Sequence, residues 1–577
     1  MSSRNGSASW ICLSFWAAAA LLFTAIATLW LAAPLGREFG SAILGSSMGG
    51  AADPMLNAAI LEWGHNALFS STLHIFDWPA GFPLGNNLAS TENLLGWQLF
   101  YWPLRAAGLS VVASFNVVLL SSFVIAGLGM ARLARQFGAS EVGALVAGMG
   151  FAFMPLHFLH MHHLQTLAIC WVPFALCHLE RYLTSQSPND VVGLVAFSVL
   201  TFLTGINVAL YLALFLGAYL LLSLVSHRWW PTWRDVRSLA IGTVVGLALV
   251  APVALQYVRF NAAVGFSHPV DELVKYANSL ADFLRAPAWQ SIWTGTWLGR
   301  GVGGLPSLPS IVLVLLMLAY TWKTWPDAAR RTTIAVLWTL MCMAVVLSLG
   351  PALKIRGNYP SSVASWIPMP GRLLLLVSAL RHPHRLLLFA YACVALMAGL
   401  GATMIAEALP RKLRGAFAVV LFSLLFIEFR PTAGLAGDST RVAEPMLTSD
   451  AYRFLRGESD RGAVVEWPSA SRNGRLDESA MSRYVYGSVW HLRRIVAYRK
   501  TVALAAADSL QLAADALPDD DQRRRLWSAG VTRLVIHRLG PRGDESERRV
   551  LALRNAAYAT LHDGAESVVF SLAPPIR

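Results

Sequence analysis

The sequence predicts an all-α polytopic membrane domain followed by a small soluble α/β domain. Its 577 residues are 55% hydrophobic and only 14% charged, with a mean hydropathy of +0.51. That is more apolar surface than soluble domains of this total length bury. After Arg430 the long apolar runs stop, and polar and apolar residues alternate. The expected domains are therefore 1–430 and 431–577.

The first apolar run, Trp10 to Ala33, exceeds a signal-peptide core, and no small-x-small site closes it. It is expected to be a retained first helix. Further runs follow at Val111–Leu133, Val142–Leu156, Leu164–Tyr182, Val191–Gly205, Val208–Val225, Leu239–Val258, Leu305–Trp322, Thr332–Leu349, Leu386–Ala408 and Leu413–Phe429. At roughly 20 residues per crossing, these make about eleven helices.

Charge orients them. With a cytoplasmic N-terminus, Arg132 and Arg135, Arg181, the Arg228/Arg234/Arg237 group, Lys323 with Arg330 and Arg331, and Arg411/Lys412/Arg414 all fall in short loops on the cytoplasmic side. Lys and Arg bias of this kind sets membrane orientation. It also accounts for much of the formal charge of +13 without a nucleic-acid partner. The opposite side receives three large loops, 34–110, 259–304 and 350–385. Within the last, Leu373 to Leu380 is too short to span and is expected in the interface or in a protein-lined cavity. The odd span count places the C-terminal domain outside the cytoplasm.

In that domain Ala463–Trp467, Thr532–His537 and Ser567–Leu572 read as strands. Asp508–Ala529, interrupted at Pro518, and Glu545–Ala557 read as helices. The five cysteines all sit in apolar runs, so no disulfide framework is expected.

Candidate chemistry concentrates in the outer loops. Asp53, in GGAADPML, precedes a proline and is either a helix cap or a base that takes a proton from an attacking hydroxyl. Glu92, in STENLLG, is a second acid or lies in the first turn of an amphipathic run over Leu94–Leu109. Glu62 and Asp77 rank lower, as solvated loop acids. His157, His160, His162 and His163 crowd one outer end, where hydrogen bonding is favoured over metal binding. Arg372, Arg381, His382, His384 and Arg385 form the strongest anion site, because guanidinium forks pair with phosphate oxygens. Snorkelling onto lipid headgroups is the alternative. Arg259, Lys275 and Arg285 are weaker candidates, with Tyr276 as a ring platform. The glycine-rich Leu298–Ser307 lacks the Lys-Ser/Thr ending of a nucleotide loop and reads as a plain outer loop.

The segments DPMLNAAILEWGHNAL, GFPLGNNLASTENLLG, FAFMPLHFLHMHHLQTLAICWVPFAL, YANSLADFLRAP, SLGPALKIRG, ALRHPHRLLLFAYACVALMAGLG and GAVVEWP carry a resemblance. The chain resembles bacterial polytopic proteins of the GT-C glycosyltransferase superfamily, the large type with a C-terminal extracytoplasmic domain. The resemblance implies a glycosyltransferase of the plasma (inner) membrane that moves a sugar from a polyprenyl-phosphate donor to an envelope glycan, lipid or protein acceptor. It makes Asp53 the base and Glu92 a second catalytic acid, and gives His160, His163 and Gln165 contacts to phosphate or sugar. Many members carry adjacent acids where this chain has the single Asp53, so a divalent metal is left open without being indicated, and no other cofactor is implied. Two other classes compete: a transporter or flippase for lipid-linked saccharides, and a non-catalytic glycan-binding or scaffold protein. Inverted repeats and mid-helix charges would favour a transporter.

Overall fold

The computed structural model describes residues 4–265, 270–296, 305–357, 360, 367–376, 380, 382–442, 449–468, 471–472, 475–476, 478–498, 504–538 and 543–574. Most of the glycine-rich run, 298–304, lies outside the described residues. All eleven predicted apolar runs fall on helices. Among the described residues, seven helical segments are long and apolar enough to cross a membrane: Ser14–Ala32, Val111–Gln136, Glu141–Leu159, Ile206–Val225, Trp233–Val264, Arg330–Ser348 and Pro383–Ala408.

The other four runs differ in detail. Leu164–Tyr182 becomes a 3-10 turn, Thr166–Trp171, leading into Val172–Ser185, which takes Pro173 in its first turn. Proline suits that position because its missing N–H has no partner to lose there. Pro188–Thr204 and Ile206–Val225 are separate helices divided at Gly205, where a Cβ would lie 2.0 Å from the Gln165 carbonyl oxygen. Only glycine lets the two backbones approach that closely. Ile311–Thr324 starts later than Leu305, at an N-cap formed by Ser310, whose hydroxyl accepts from the Leu313 N–H. Arg411–Phe429 has 19 residues and a basic first turn.

By contact density the chain divides into two compact units. The first comprises Met1–Gly36, Val117–Pro252 and Ser267–Asp438. Its centre is the helix Leu387–Ala408, buried along nearly its whole length between Glu141–Ala152 and Ile311–Thr324. A helix apolar on every face belongs in such a position. Glycines bring these backbones together: a Cβ on Gly143 would lie 2.0 Å from Thr403 Oγ1 and 2.3 Å from the Gly399 carbonyl oxygen. Small residues provide close helix packing in lipid, where burial of apolar surface no longer drives association. Gly143→Val is therefore expected to force the two helices apart, at the cost of about 1–3 kcal/mol or more that overpacking brings. Thermal unfolding and size-exclusion profiles in detergent would show it; Gly415→Ala, with nothing within 4 Å of its Cβ, is the control.

The second unit joins Arg37–Asn116 and Val253–Phe266 to Ser439–Arg577. The first outer segment is thus folded rather than a loose loop. Its longer helices are Ala52–Leu68 and Gln98–Ala106, and its two-residue strand Ala42–Ile43 pairs antiparallel with Thr440–Arg441. Ala80 bridges Ile495, and the Gly81 and Phe82 N–H groups donate to Ala497 O at 3.1 Å and Ile495 O at 3.0 Å. Ala52–Leu68 packs on Glu478–His491.

A mixed four-stranded sheet forms the C-terminal part: β1 (Ala463–Trp467), β2 (Val531–His537), β3 (Thr560–Asp563) and β4 (Ser567–Ser571), in the order β1-β2-β4-β3. β1 and β2 run parallel and the other pairs antiparallel. The three strands expected from sequence agree within one residue at each end. The helices Asp450–Gly457 and Glu478–His491 and strand β3 were not predicted: the first is only eight residues long and β3 only four.

Candidate functional site

In the second unit, Asp53 lies inside the first turn of Ala52–Leu68, half-buried. It does not cap that helix. The chain enters through Gly50, at φ +84°, and Ala51 takes the cap position without a side-chain bond. Glu92 is also half-buried but precedes the helix it was expected to start. Leu94 turns left-handed at φ +52°, a 3-10 turn covers Leu95–Trp97, and the α-helix begins only at Gln98. Tyr257, which the sequence reading missed, brackets Glu92: its hydroxyl donates to Thr91 O at 2.9 Å and accepts from Asn93 Nδ2 at 3.3 Å.

The two lower-ranked acids part company. Asp77 is exposed and accepts from the Asn86 N–H at 3.3 Å. Glu62, expected to be solvated, is 4% exposed. Its carboxylate accepts from Tyr101 Oη at 2.8 Å and from Arg105 Nε at 2.8 Å and Nη2 at 3.0 Å. Burial first, and then the Glu62 charge, push the Tyr101 phenol well above its ordinary range, so it serves as a neutral donor. Glu62 is a structural acid.

The first unit holds the histidines and arginines. Pro155 opens a short turn, Pro155–Leu159, that delivers the histidine run. His157 belongs to the apolar core, stacked on Phe123 with ring centroids 4.4 Å apart. His160 is 3% exposed and stacks on His384 at 5.2 Å, with the His163 ring 6.0 Å away. Among the described residues, neither ring nitrogen of His160 meets a hydrogen-bond partner. Burial, and then the neighbouring His384 and Arg385, hold its pKa well below the usual imidazole value, so the ring is neutral. Gln165 is half-buried with its Oε1 unbonded.

Pro383 starts a 3-10 turn, Pro383–Leu386, that turns His384 and Arg385 inward, where they are 4% and 3% exposed. His384 Nδ1 donates to Tyr276 O at 2.7 Å, so the imidazole is held to that carbonyl through one ring nitrogen. The His382 ring packs on Tyr276 at 4.4 Å, and its carbonyl accepts from Tyr211 Oη at 3.2 Å. Tyr276, His160, His163, His382, His384 and Arg385 are thus gathered.

Arg372 is not among them. It is exposed, and its Nε donates to Pro351 O at 3.4 Å, because Gly371 is packed backbone to backbone on Gly350 and fixes that turn elsewhere. Leu373, Leu375 and Leu376 of the same turn, Pro370–Leu376, are exposed. Arg381 lies outside the described residues. A further cation was missed: Lys354, in SLGPALKIRG, is 2% exposed and donates to Lys275 O at 3.2 Å. Burial lowers its pKa to about 8 against the opposing pull of Asp282. Its only signal in the sequence is a lone lysine in an apolar stretch of an outer loop.

No protein-family profile matches the chain, and no curated protein does. Two structures of a mutant of arabinofuranosyltransferase AftD from Mycobacteria, classes 1 and 2, are similar, with TM-scores of 0.56 and 0.54 and 16% and 15% sequence identity. Each alignment covers 97% of this chain and 41% of AftD, so the chain spans well under half of that protein's length. ArnT from Cupriavidus metallidurans bound to undecaprenyl phosphate aligns over 98% of both chains at 15% identity, but its TM-score of 0.43 is too loose to add to the argument. The chain is a polytopic membrane protein with the fold of the GT-C glycosyltransferases.

Proposed function

We propose that the protein is a glycosyltransferase that moves a sugar from a polyprenyl-phosphate donor to a glycan, lipid or protein acceptor on the extracytoplasmic face. The observation that carries this reading is the buried cluster of His160, His384 and Arg385, in which a neutral imidazole has both nitrogens unbonded among the described residues, beside a guanidinium. Buried polar groups are bonded as a rule, so His160 is built to meet a ligand. Arg385 supplies the fixed charge that stabilises a departing phosphate.

In the proposed reaction the acceptor hydroxyl attacks the anomeric carbon, the bond from that carbon to the phosphate oxygen breaks, and the polyprenyl phosphate leaves with the electron pair. Asp53 takes the hydroxyl proton as general base. Glu92 orders acceptor hydroxyls, and His163, His382, Gln165 and Tyr276 contact the donor. The N-terminus is cytoplasmic, and residues 431–577 form an extracytoplasmic domain that shapes acceptor binding.

Transfer of radiolabelled sugar from a panel of polyprenyl-phosphate sugars, in proteoliposomes, tests the reading. Wild type is expected to transfer label from one donor class. Arg385→Gln is expected to lower kcat/KM by about 10²–10³, as loss of one electrostatic stabiliser typically does. Absence of transfer from every donor by folded wild type would remove the reading.

A further inference from the structure

The buried cluster includes one cation whose charge is conditional. Lys275 and Tyr276 are consecutive residues at the end of the short helix Val270–Lys275. Their two carbonyls hold two different side chains: Lys354 Nζ on Lys275 O at 3.2 Å and His384 Nδ1 on Tyr276 O at 2.7 Å. The ammonium and the imidazole are therefore pinned to neighbouring peptide units, close enough for Lys354 to act electrostatically on His384. The Lys354 backbone is held as firmly, with its carbonyl accepting from the Leu280 N–H at 2.8 Å and its residue bridging Ser279.

The groups facing Lys354 do not neutralise it. Asp282 is the acid on that side, and its carboxylate already accepts from the Ser279 N–H at 2.7 Å and from Arg285 Nη1 at 3.3 Å. The other neighbours of Lys354 among the described residues include Lys275, Tyr276, His384 and, beyond His384, Arg385. An ammonium has three donors, and the bond to Lys275 O takes one of them.

We propose that Lys354 is the titrating cation of the donor site, its ammonium pairing with the donor phosphate so that donor affinity falls in alkaline solution. The proposal rests on the donor-site reading above. The sign follows from burial. The free ammonium deprotonates near pH 8, whereas a bound phosphate favours the charged form. Binding above pH 8 must therefore take up a proton, and affinity drops as pH rises. His160 and His162, both shifted below the ordinary imidazole value, stay out of that window. The donor is a phosphodiester with no second proton to lose, and undecaprenyl phosphate, the monoester that leaves in the reaction and serves as the probe below, has its second pKa near roughly 6 and is already a dianion.

The test is calorimetric binding of undecaprenyl phosphate to the full chain in detergent between pH 7 and pH 9. Wild type is expected to lose about tenfold in affinity over that range. At pH 8.5, in buffers of different ionisation heat, it should take up most of one proton on binding. Lys354→Arg, whose guanidinium does not titrate here, is expected to bind with flat affinity, and Lys354→Met to bind weakly at every pH. Flat wild-type affinity with no proton uptake would overturn the role of Lys354 while leaving the donor site standing. So would an alkaline loss that persists in Lys354→Arg. No binding at pH 7 by folded wild type would overturn both. The proton count needs no variant, so a misfolded substitution does not leave the question open.

Discussion

Asp53→Asn is expected to lower turnover by about 10²–10⁴-fold, the usual contribution of a general base, while the protein still folds. The separation of the two effects follows from where Asp53 sits. Ala51, not Asp53, holds the cap position of the Ala52–Leu68 helix, so no side-chain cap is lost. What the helix loses is a negative charge in its first turn, worth about 0.3–1 kcal/mol. Single-turnover transfer by purified variant, with its unfolding midpoint measured alongside, checks both halves. Undiminished turnover would remove the base role from Asp53 and would turn attention to Glu92.

Glu62, on the same helix, should behave in the opposite way. Glu62→Ala is expected to destabilise the second unit by about 3–5 kcal/mol, because it leaves the Arg105 charge and the Tyr101 hydroxyl without their buried acceptor. The Arg105 side chain is 16% exposed and that of Glu62 5%, so water offsets little of the loss. The double variant with Arg105→Met should recover a large part of it, since removing both charges avoids a stranded one. Denaturant or thermal unfolding in detergent measures the cycle. A Glu62→Ala protein of native stability that has lost turnover would reverse the assignments of the two acids.

The membrane class and the places of the apolar runs were legible because hydropathy is a local property. A stretch such as Leu386–Ala408 cannot be anything but a buried or spanning helix. Strand β1 was legible for a similar reason, since AVVEW is a short β-branched run ended by Pro468. The histidine and Arg385 cluster was half legible. Residue type marked His384 and Arg385 as candidates for an anion site and the family resemblance added His160, but Arg372, of the same type as Arg385, bonds elsewhere.

What the sequence by itself determined is therefore the class of the protein, its apolar helices and a pool of candidate ionisable groups. Only the tertiary structure decided which of those groups act together. Glu62 is bonded to Arg105, 43 positions away, and Lys354 is bonded to the carbonyl of Lys275, 79 positions away. Likewise, Arg37–Asn116 folds with the chain after Ser439 through pairings such as Ala42 with Arg441. A charge in a sequence carries no record of its distant partner. Burial, which decides whether a carboxylate is a base or a brace and whether a lysine stays charged, is set by those partners.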